Sequence, residues 1–160
     1  MKMNFEKNPE QLELLEKTFH SVEVPKGMNY QLPPNSFAML KGEFMDYQVR
    51  KELVTRFWID KAFSNPQGTV QGGIIAACFD DTFGPLGVVT SKKPILTVDI
   101  HIQYIRPIPL EETFYIITKV VSVSKSTIYM QAEAFNQKGK LLAQASSNQI
   151  IIHKICNHFD

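Results

Sequence analysis

Residues 64–84 read SNPQGTVQGGIIAACFDDTFG, and this stretch joins a turn-rich segment to the most apolar part of the chain. The Asn, Pro and Gly residues at its start are typical of a turn. The residues from Gly72 to about Val89 predict a helix that is apolar around most of its surface and must therefore be enclosed by other elements. Gly84 and Pro85 predict a kink or an early end near Gly84, because proline has no N–H to donate to the carbonyl four residues earlier.

Two aspartates, Asp80 and Asp81, lie inside this apolar segment. A buried carboxylate without a partner is very costly, so we expect a wet cleft beside one of them. Consecutive residues of a helix point about 100° apart, and only one of the two can face a given cleft. The spacing from Gly72 favours Asp80 for the cleft, and Asp81 is then expected to face another polar surface or a partner at a helix end.

The composition bounds the class of protein. The chain has 160 residues, 44% of them apolar, and a net charge of +1. This fits one domain with a sizeable core and lacks the basic excess of nucleic-acid-binding proteins. No apolar run approaches the ~20 residues of a membrane helix, and the acidic, amphipathic N-terminal segment is unlike a signal peptide. We therefore expect a cytoplasmic protein with neither nucleic acid nor a membrane as a partner.

The cysteines and histidines give no sign of a metal site. Cys78 and Cys156 lie far apart without metal-type spacing, and both are expected to be reduced, buried thiols. The four histidines do not cluster, and no pair has the i, i+4 spacing of metal ligands on a helix. We expect no metal and no cofactor.

The rest of the chain predicts one further helix and six strands. A helix is expected over residues 8–20, with Asn8 as N-cap and Pro9 as first residue, followed by a connector over residues 21–36. A two-stranded hairpin is expected within residues 37–60. Longer strands follow the central helix at residues 97–105, 113–123, 127–136 and 140–152. This order predicts an α+β fold in which an antiparallel sheet wraps around the long central helix.

The first of these longer strands alternates between apolar and polar residues. One face is predicted to carry Val98, Ile100, Ile102 and Tyr104, and the other Thr97, Asp99, His101 and Gln103. The pattern thus places Thr97 on the polar face.

The element order, together with the spacing of a few residues, resembles the hotdog fold. The spacing is carried by Asn65, Gly68, Gln71, Gly72, Gly73 and Asp80, and it is similar to that of acyl-CoA thioesterases of the PaaI type, in the 4-hydroxybenzoyl-CoA thioesterase superfamily. The resemblance covers about residues 37–152. It implies a hotdog domain over residues 37–160, preceded by the N-terminal helix and connector over residues 1–36. It also implies a homodimer, or a homotetramer built as a dimer of dimers.

The resemblance further implies an acyl-CoA substrate and an active site between two subunits. Asp80 is then the nucleophile or general base, and the N–H of Gly72, within the Gly72–Gly73 pair of the other chain, polarises the thioester carbonyl. Helix N-termini offer free N–H groups and a positive dipole end, and glycines let a carbonyl approach the backbone closely. A carboxylate further along the helix, in apolar surroundings, is a stronger base than one in water.

Six other residues receive candidate roles. Asn65 corresponds to a residue that holds the thioester or the attacking water, and Thr97 to a hydroxyl residue that orients that water. Gln71 stands where most members carry His, and an amide can only position a group or donate a hydrogen bond. Gly73, Asp81 and Arg106 are candidates for substrate binding, Arg106 through the phosphates of coenzyme A.

Structural explanations of the same residues stay open. Asn65 alone is typical of a turn, Gly72 and Gly73 of close helix packing, and Thr97 of a strand. Gln71 and the Gly84–Pro85 break also favour a second function, a non-catalytic acyl-CoA or lipid-binding protein. A third is an enoyl-CoA hydratase or dehydratase, although such sites pair a histidine with an acidic residue. The acyl group is not encoded in any local pattern.

Overall fold

The computed structural model describes residues 5–154 of the chain. Within this range the helices are α1 (Pro9–His20), α2 (Asn35–Met39) and α3 (Gly72–Ser91), with a short 3-10 turn at Lys61–Phe63. The strands are β1 (Glu43–Gln48), β2 (Glu52–Trp58), β3 (Ile95–Tyr104), β4 (Thr113–Val123), β5 (Thr127–Asn136) and β6 (Leu141–Ile151). They form one sheet in the order β1-β2-β4-β5-β6-β3, in which all neighbours are antiparallel.

Helix α3 lies against one face of this sheet and contacts strands β2 to β6. Phe79, Phe83 and Leu86 of the helix are fully buried against Phe114 and Ile128 of the sheet. An antiparallel sheet covering a long helix, with an additional N-terminal helix, is the α+β architecture that the sequence predicted, and that prediction is confirmed. Helix α1 packs against β1 and α3, so the N-terminal segment and the sheet share one core.

The thiol prediction is confirmed for Cys78, which is free and completely buried in α3. Burial raises the pKa of this thiol, and the charge of Asp81 raises it further. Cys156 lies outside the described residues.

Within residues 37–60, where the hairpin was predicted, the first strand begins only at Glu43. The preceding residues form α2 instead, which brings Phe37 into the core, where it is 5% exposed and stacks on Phe44 with 4.6 Å between ring centroids. Gly42 permits this packing, because a Cβ at that position would lie 2.6 Å from the Phe37 ring. The predicted hairpin is present as β1 and β2.

Helix α3 does not end near Gly84 but continues through Pro85 to Ser91. The missing N–H of Pro85 removes only the bond to the carbonyl of Asp81. Pro85 and the following Leu86 are buried, and this burial favours the continuous helix. By length and composition α3 is also apolar enough to cross a membrane, contrary to the expectation that no apolar run is long enough. The sheet encloses it as a core helix.

Strand β3 forms one edge of the sheet and contains a β-bulge. Thr97 lies opposite Gln149, yet Asp99 lies opposite the next residue, Asn148, so the register shifts between them. A bulge inserts one residue and reverses the alternation of side chains beyond it. Thr97 therefore lies on the helix-facing side together with Ile100, and its predicted place on the polar face is wrong, whereas Asp99 lies on that face with His101 as predicted.

Candidate functional site

Asp80 faces a cavity of about 240 Å³ and is held there by Thr97. The Thr97 hydroxyl lies 2.8 Å from Oδ1 of Asp80 and 3.2 Å from Oε1 of Gln149. A hydroxyl has one proton to donate, so these two oxygens compete for it. Asp80 is partly exposed and Gln149 is fully buried. The bulge in β3 is what brings Thr97 to this side of the sheet.

Asp81 points into different surroundings from its neighbour and is only 7% exposed. Its Oδ1 accepts a hydrogen bond of 2.8 Å from the Ser36 hydroxyl in α2, and its buried Oδ2 has no partner among residues 5–154. Burial raises the pKa of Asp81 to about 6, the Ser36 hydrogen bond opposes that rise, and the charge of Asp80 adds to it. Asp81 thus shares the cavity wall with Asp80 but is tied to the N-terminal segment.

The other end of the predicted site is the first turn of α3. Gln71 is the N-cap, and its side-chain oxygen accepts from the N–H of Ile74 at 3.0 Å. A Cβ on Gly73 would lie 2.9 Å from that oxygen, so Gly73 leaves room for the cap. The N–H groups of Gly72 and Gly73 have no carbonyl partner inside the helix. Gln71 therefore supports the helix end whose N–H groups were predicted to bind a carbonyl.

Gly72 lies beside a second cavity, of about 330 Å³, which Asn65, Tyr104 and Arg106 also line. The Tyr104 hydroxyl donates to the Gly72 carbonyl at 2.8 Å. Arg106 donates from Nη1 to the carbonyl of Leu141 at 2.7 Å, which holds its guanidinium at the cavity rim. Of the candidate substrate-binding residues, Arg106 thus lines the same cavity as Gly72, Gly73 follows Gly72 in the chain, and Asp81 lines the other cavity.

Asn65 uses its side chain to shape the turn before α3. Its Oδ1 accepts from the N–H groups of Gln67 and Thr69 at 3.1 and 2.9 Å, and its Nδ2 donates to the Thr69 hydroxyl at 2.8 Å. Gly68 closes this turn with a φ of +79°, where a side chain would be strained. The turn explains the spacing of Asn65 and Gly68, and it leaves one amide proton of Asn65 for another acceptor.

Within one chain the two halves of the predicted site lie apart. Asp80 follows Gly72 by eight residues, which is about 12 Å along a helix, and the two line different cavities. The structure brings Asp80 together with Asp81 and Thr97, and it brings Gly72 together with Asn65 and Arg106. It does not bring Asp80 and Gly72 of the same chain to one cavity.

Sequence reasoning missed several polar contacts of the site. The hydroxyl of Ser36 comes from a segment read as a connector, and nothing in the sequence links it to Asp81. One feature of the sequence could have pointed to Gln149. It is a polar residue at a position of β6 that faces inward, in line with Ser147 and Ile151. Over residues 5–154, no group of three or more His, Cys, Asp or Glu side chains is arranged to hold a metal ion.

Comparison with protein families finds that residues 67–143 match the model of the thioesterase superfamily. The matched range includes the glycine pair, both aspartates, Thr97 and Arg106, and it begins two residues after Asn65. A comparison with curated proteins finds no match.

The chain is similar in structure to several solved proteins at low sequence identity. A putative thioesterase from Ralstonia eutropha JMP134, described as phenylacetic acid degradation-related, gives a TM-score of 0.71 at 21% identity, with 86% of this chain and 98% of that chain covered. The Escherichia coli PaaI protein gives 0.71 at 16% identity, covering 76% and 86%. A Streptococcus mutans protein bound to acetyl CoA gives 0.66 at 18% identity, covering 72% and 91%. The chain therefore has the hotdog fold, and its residues 67–143 are similar to the thioesterase superfamily.

Proposed function

We propose that the protein hydrolyses an acyl-CoA thioester to a free acid and CoA, at a site formed between two copies of the chain. The single observation that carries the proposal is the hydrogen bond from Thr97 to Asp80 in a cavity beside the open edge of the sheet. The thioesterase family match and the acetyl CoA bound to the Streptococcus mutans relative support the choice of substrate class.

The edge strand supports the pairing of two chains. Strand β3 runs from the Asp80 cavity, at Thr97, to the Gly72 cavity, at Tyr104. Its exposed residues include Leu96 and Val98, with 57% and 55% of their surface accessible, and an open edge of this kind is a template for another strand. If two β3 edges pair antiparallel about a two-fold axis, Thr97 of each chain lies near Tyr104 of the other. Asp80 then lies near Gly72 of the partner subunit.

In such a dimer each group has a distinct part in the reaction. The thioester oxygen accepts a hydrogen bond from the N–H of Gly72 of the partner subunit, and the positive helix end stabilises the negative charge that develops there. Asp80 either attacks the carbonyl carbon, which expels CoA as the thiolate and forms an anhydride for water to cleave, or takes a proton from the attacking water. Thr97 is a positioning residue, because its hydrogen bond fixes one oxygen of Asp80 and leaves the other for the substrate.

One set of measurements distinguishes this function from its two alternatives, a non-catalytic binding protein and an enoyl-CoA hydratase. A panel of acyl-CoA substrates is incubated with wild type, Asp80→Asn and the control Glu133→Gln, which neutralises an exposed carboxylate on the opposite face of the sheet, and the released thiol is measured. We expect turnover by wild type and the control, and a fall in kcat of about 100-fold or more for Asp80→Asn. Full activity of Asp80→Asn contradicts the mechanism. Tight binding without turnover favours a binding protein, and hydration of an enoyl-CoA favours a hydratase.

A further inference from the structure

The cavity beside Asp80 is closed on one side by residues that precede the family-matched range. Tyr30, Gln31, Leu32 and Pro34 line it from the N-terminal segment. We refer to residues 30–36 as the connector wall. On the other side, α3 and β3 contribute an apolar surface that consists of Pro85, Val88, Ile95 and Leu96. The polar groups of the cavity, Asp80, Asp81, Thr97 and Gln149, come from the same two elements and from β6.

The connector wall is fixed to the rest of the protein by specific contacts. The Ser36 hydroxyl donates to Asp81 at 2.8 Å, and the Gln31 amide donates to the side chain of Asn35 at 2.8 Å. Directly after it, the buried ring of Phe37 anchors α2 in the core. Asp81 is therefore the residue of α3 that binds the connector wall by a hydrogen bond.

We propose that the connector wall selects the acyl group of the substrate and that the Ser36–Asp81 hydrogen bond holds this wall in position. This inference rests on the proposed thioesterase function. The thioester belongs at Asp80 and Thr97, so the acyl group extends into the part of the cavity lined by Leu32, Val88 and Ile95.

The lining and the volume indicate which acyl groups fit. Side chains such as Leu32 and Val88 favour an apolar group. The carboxyl groups of Asp80 and Asp81 disfavour an acyl group that ends in a second carboxylate. The cavity measures about 240 Å³, which lies below the roughly 300–1,000 Å³ of pockets for drug-sized ligands. The substrate class that this cavity fits best is a short, uncharged, apolar acyl-CoA.

The test compares acyl-chain preference in variants that change the wall in opposite directions. Leu32→Ala enlarges the cavity and Leu32→Phe fills it, while Asn29→Ala is a matched control at an exposed neighbour outside the lining. The readout is kcat/KM over a series of straight-chain acyl-CoA substrates. We expect Leu32→Ala to shift the ratio of long-chain to short-chain kcat/KM upward by about tenfold, since one methylene is worth about 10–200-fold. Leu32→Phe shifts it downward, and the control leaves it unchanged.

A second arm tests the attachment of the wall to α3. Ser36→Ala removes the hydroxyl that Asp81 accepts, and we expect it to reduce the selectivity between chain lengths mainly through KM, with kcat changed less than twofold. Ser21→Ala is its control, because the hydroxyl of that serine donates to the carbonyl of Thr18 at the end of α1. If Ser36→Ala kept the chain-length preference and KM values of wild type, the proposed role of this hydrogen bond would be overturned.

Binding of non-hydrolysable thioether analogues of the same acyl-CoA series, measured by calorimetry, separates this inference from the proposed function. If wild type hydrolyses acyl-CoA but both Leu32 variants keep its preference, the connector wall is not the selecting element and the thioesterase proposal stands. If wild type hydrolyses no acyl-CoA of the series, the thioesterase proposal fails. Binding of the thioether analogues then tests whether the connector wall selects the acyl group. A shift of Kd between short and long analogues in the Leu32 variants then supports selection by the wall, and unchanged ratios or no binding overturn it.

Discussion

Adjacent side chains in α3 meet very different surroundings. Asp80 reaches a cavity and a hydroxyl on β3, whereas Asp81 is buried against Ser36. The angle of about 100° between consecutive helix residues predicted from the sequence that their partners differ. Both residues nevertheless line the same cavity, so the expectation that only one of them can face a given cleft is wrong. The identity of Asp81's partner was not predictable, because Ser36 lies 45 residues away in a segment without any periodic pattern.

The buried carboxyl of Asp81 makes the stability of the protein depend on pH. Its pKa rises from the ordinary 3.8 to about 6 in the fold, so its contribution is fully present below 3.8 and is lost as the pH rises to about 6. We expect Asp81→Asn, which has no proton to lose, to gain in Tm relative to wild type across this window, by a few degrees in total. Thermal unfolding of both proteins from pH 3.5 to 8 measures this.

Ser36→Ala serves as a second variant for the same titration. The Ser36 hydrogen bond lowers the pKa of Asp81, so its removal moves the upper end of the pH window to higher values. A Tm difference between wild type and Asp81→Asn that stays constant over this whole range would contradict the assignment.

At the scale of elements, regular patterns were predicted well and irregular features were not. The boundaries of β4 and β5 agree with the sequence prediction, because alternation and turn residues mark them clearly. The continuation of α3 beyond Pro85 and the helical turn of α2 depend on packing in the core, which local propensity does not contain. The bulge in β3 was missed because its apolar and polar residues alternate as though the strand were regular.

The bulge in β3 allows a prediction about Val98, the inserted residue. Deletion of Val98 leaves Thr97 opposite Gln149 and Asp99 opposite Asn148 in regular alternation, so we expect Thr97 to stay on the helix-facing side. Asp80 then keeps its hydrogen bond, and we expect kcat to stay within about tenfold of wild type. The control is Val98→Ala, which keeps the bulge and is expected to retain kcat within about twofold. Steady-state kinetics and Tm are measured for both variants, and a deletion variant that folds but loses kcat as strongly as Thr97→Ala would contradict this register.

At the scale of the whole molecule, the sequence could predict the fold, but it could not predict that the two halves of the site line separate cavities in one chain. The residue order and spacing predicted the hotdog fold, which is confirmed, and they proposed residues for both halves of the site, which stay a prediction. The resemblance implied a site between two subunits, and the structure adds that Asp80 and Gly72 of one chain line two different cavities.

Mixed dimers test whether the two halves come from different chains. Asp80→Asn removes the carboxylate, and Gly72→Pro removes the N–H while keeping the helix, since proline is tolerated at the first helical position and the backbone of Gln71 is already extended. Each variant alone is expected to lose about 100-fold or more in kcat. After unfolding and refolding of an equal mixture, half of the dimers pair one chain of each kind, and we expect recovery of about a quarter of wild-type activity.

The control for this experiment is Gly72→Ala, which retains the N–H. A Cβ at this position would make only ordinary contact, 3.5 Å, with the Tyr104 ring. We therefore expect Gly72→Ala to stay active as a homodimer. If the mixture gains no activity although the two variants are shown to form mixed dimers, each site is built from a single chain.

The Ser36–Asp81 hydrogen bond joins two stretches of sequence with separate tasks. In the proposed enzyme, bond cleavage is carried out by residues within the family-matched range, and substrate choice by residues 30–36, which precede that range. A new substrate preference can then evolve, or be engineered, by replacing residues 30–35 of the connector wall, while the reacting groups remain untouched. Retaining serine at position 36 and aspartate at position 81 is the requirement that such a graft has to meet.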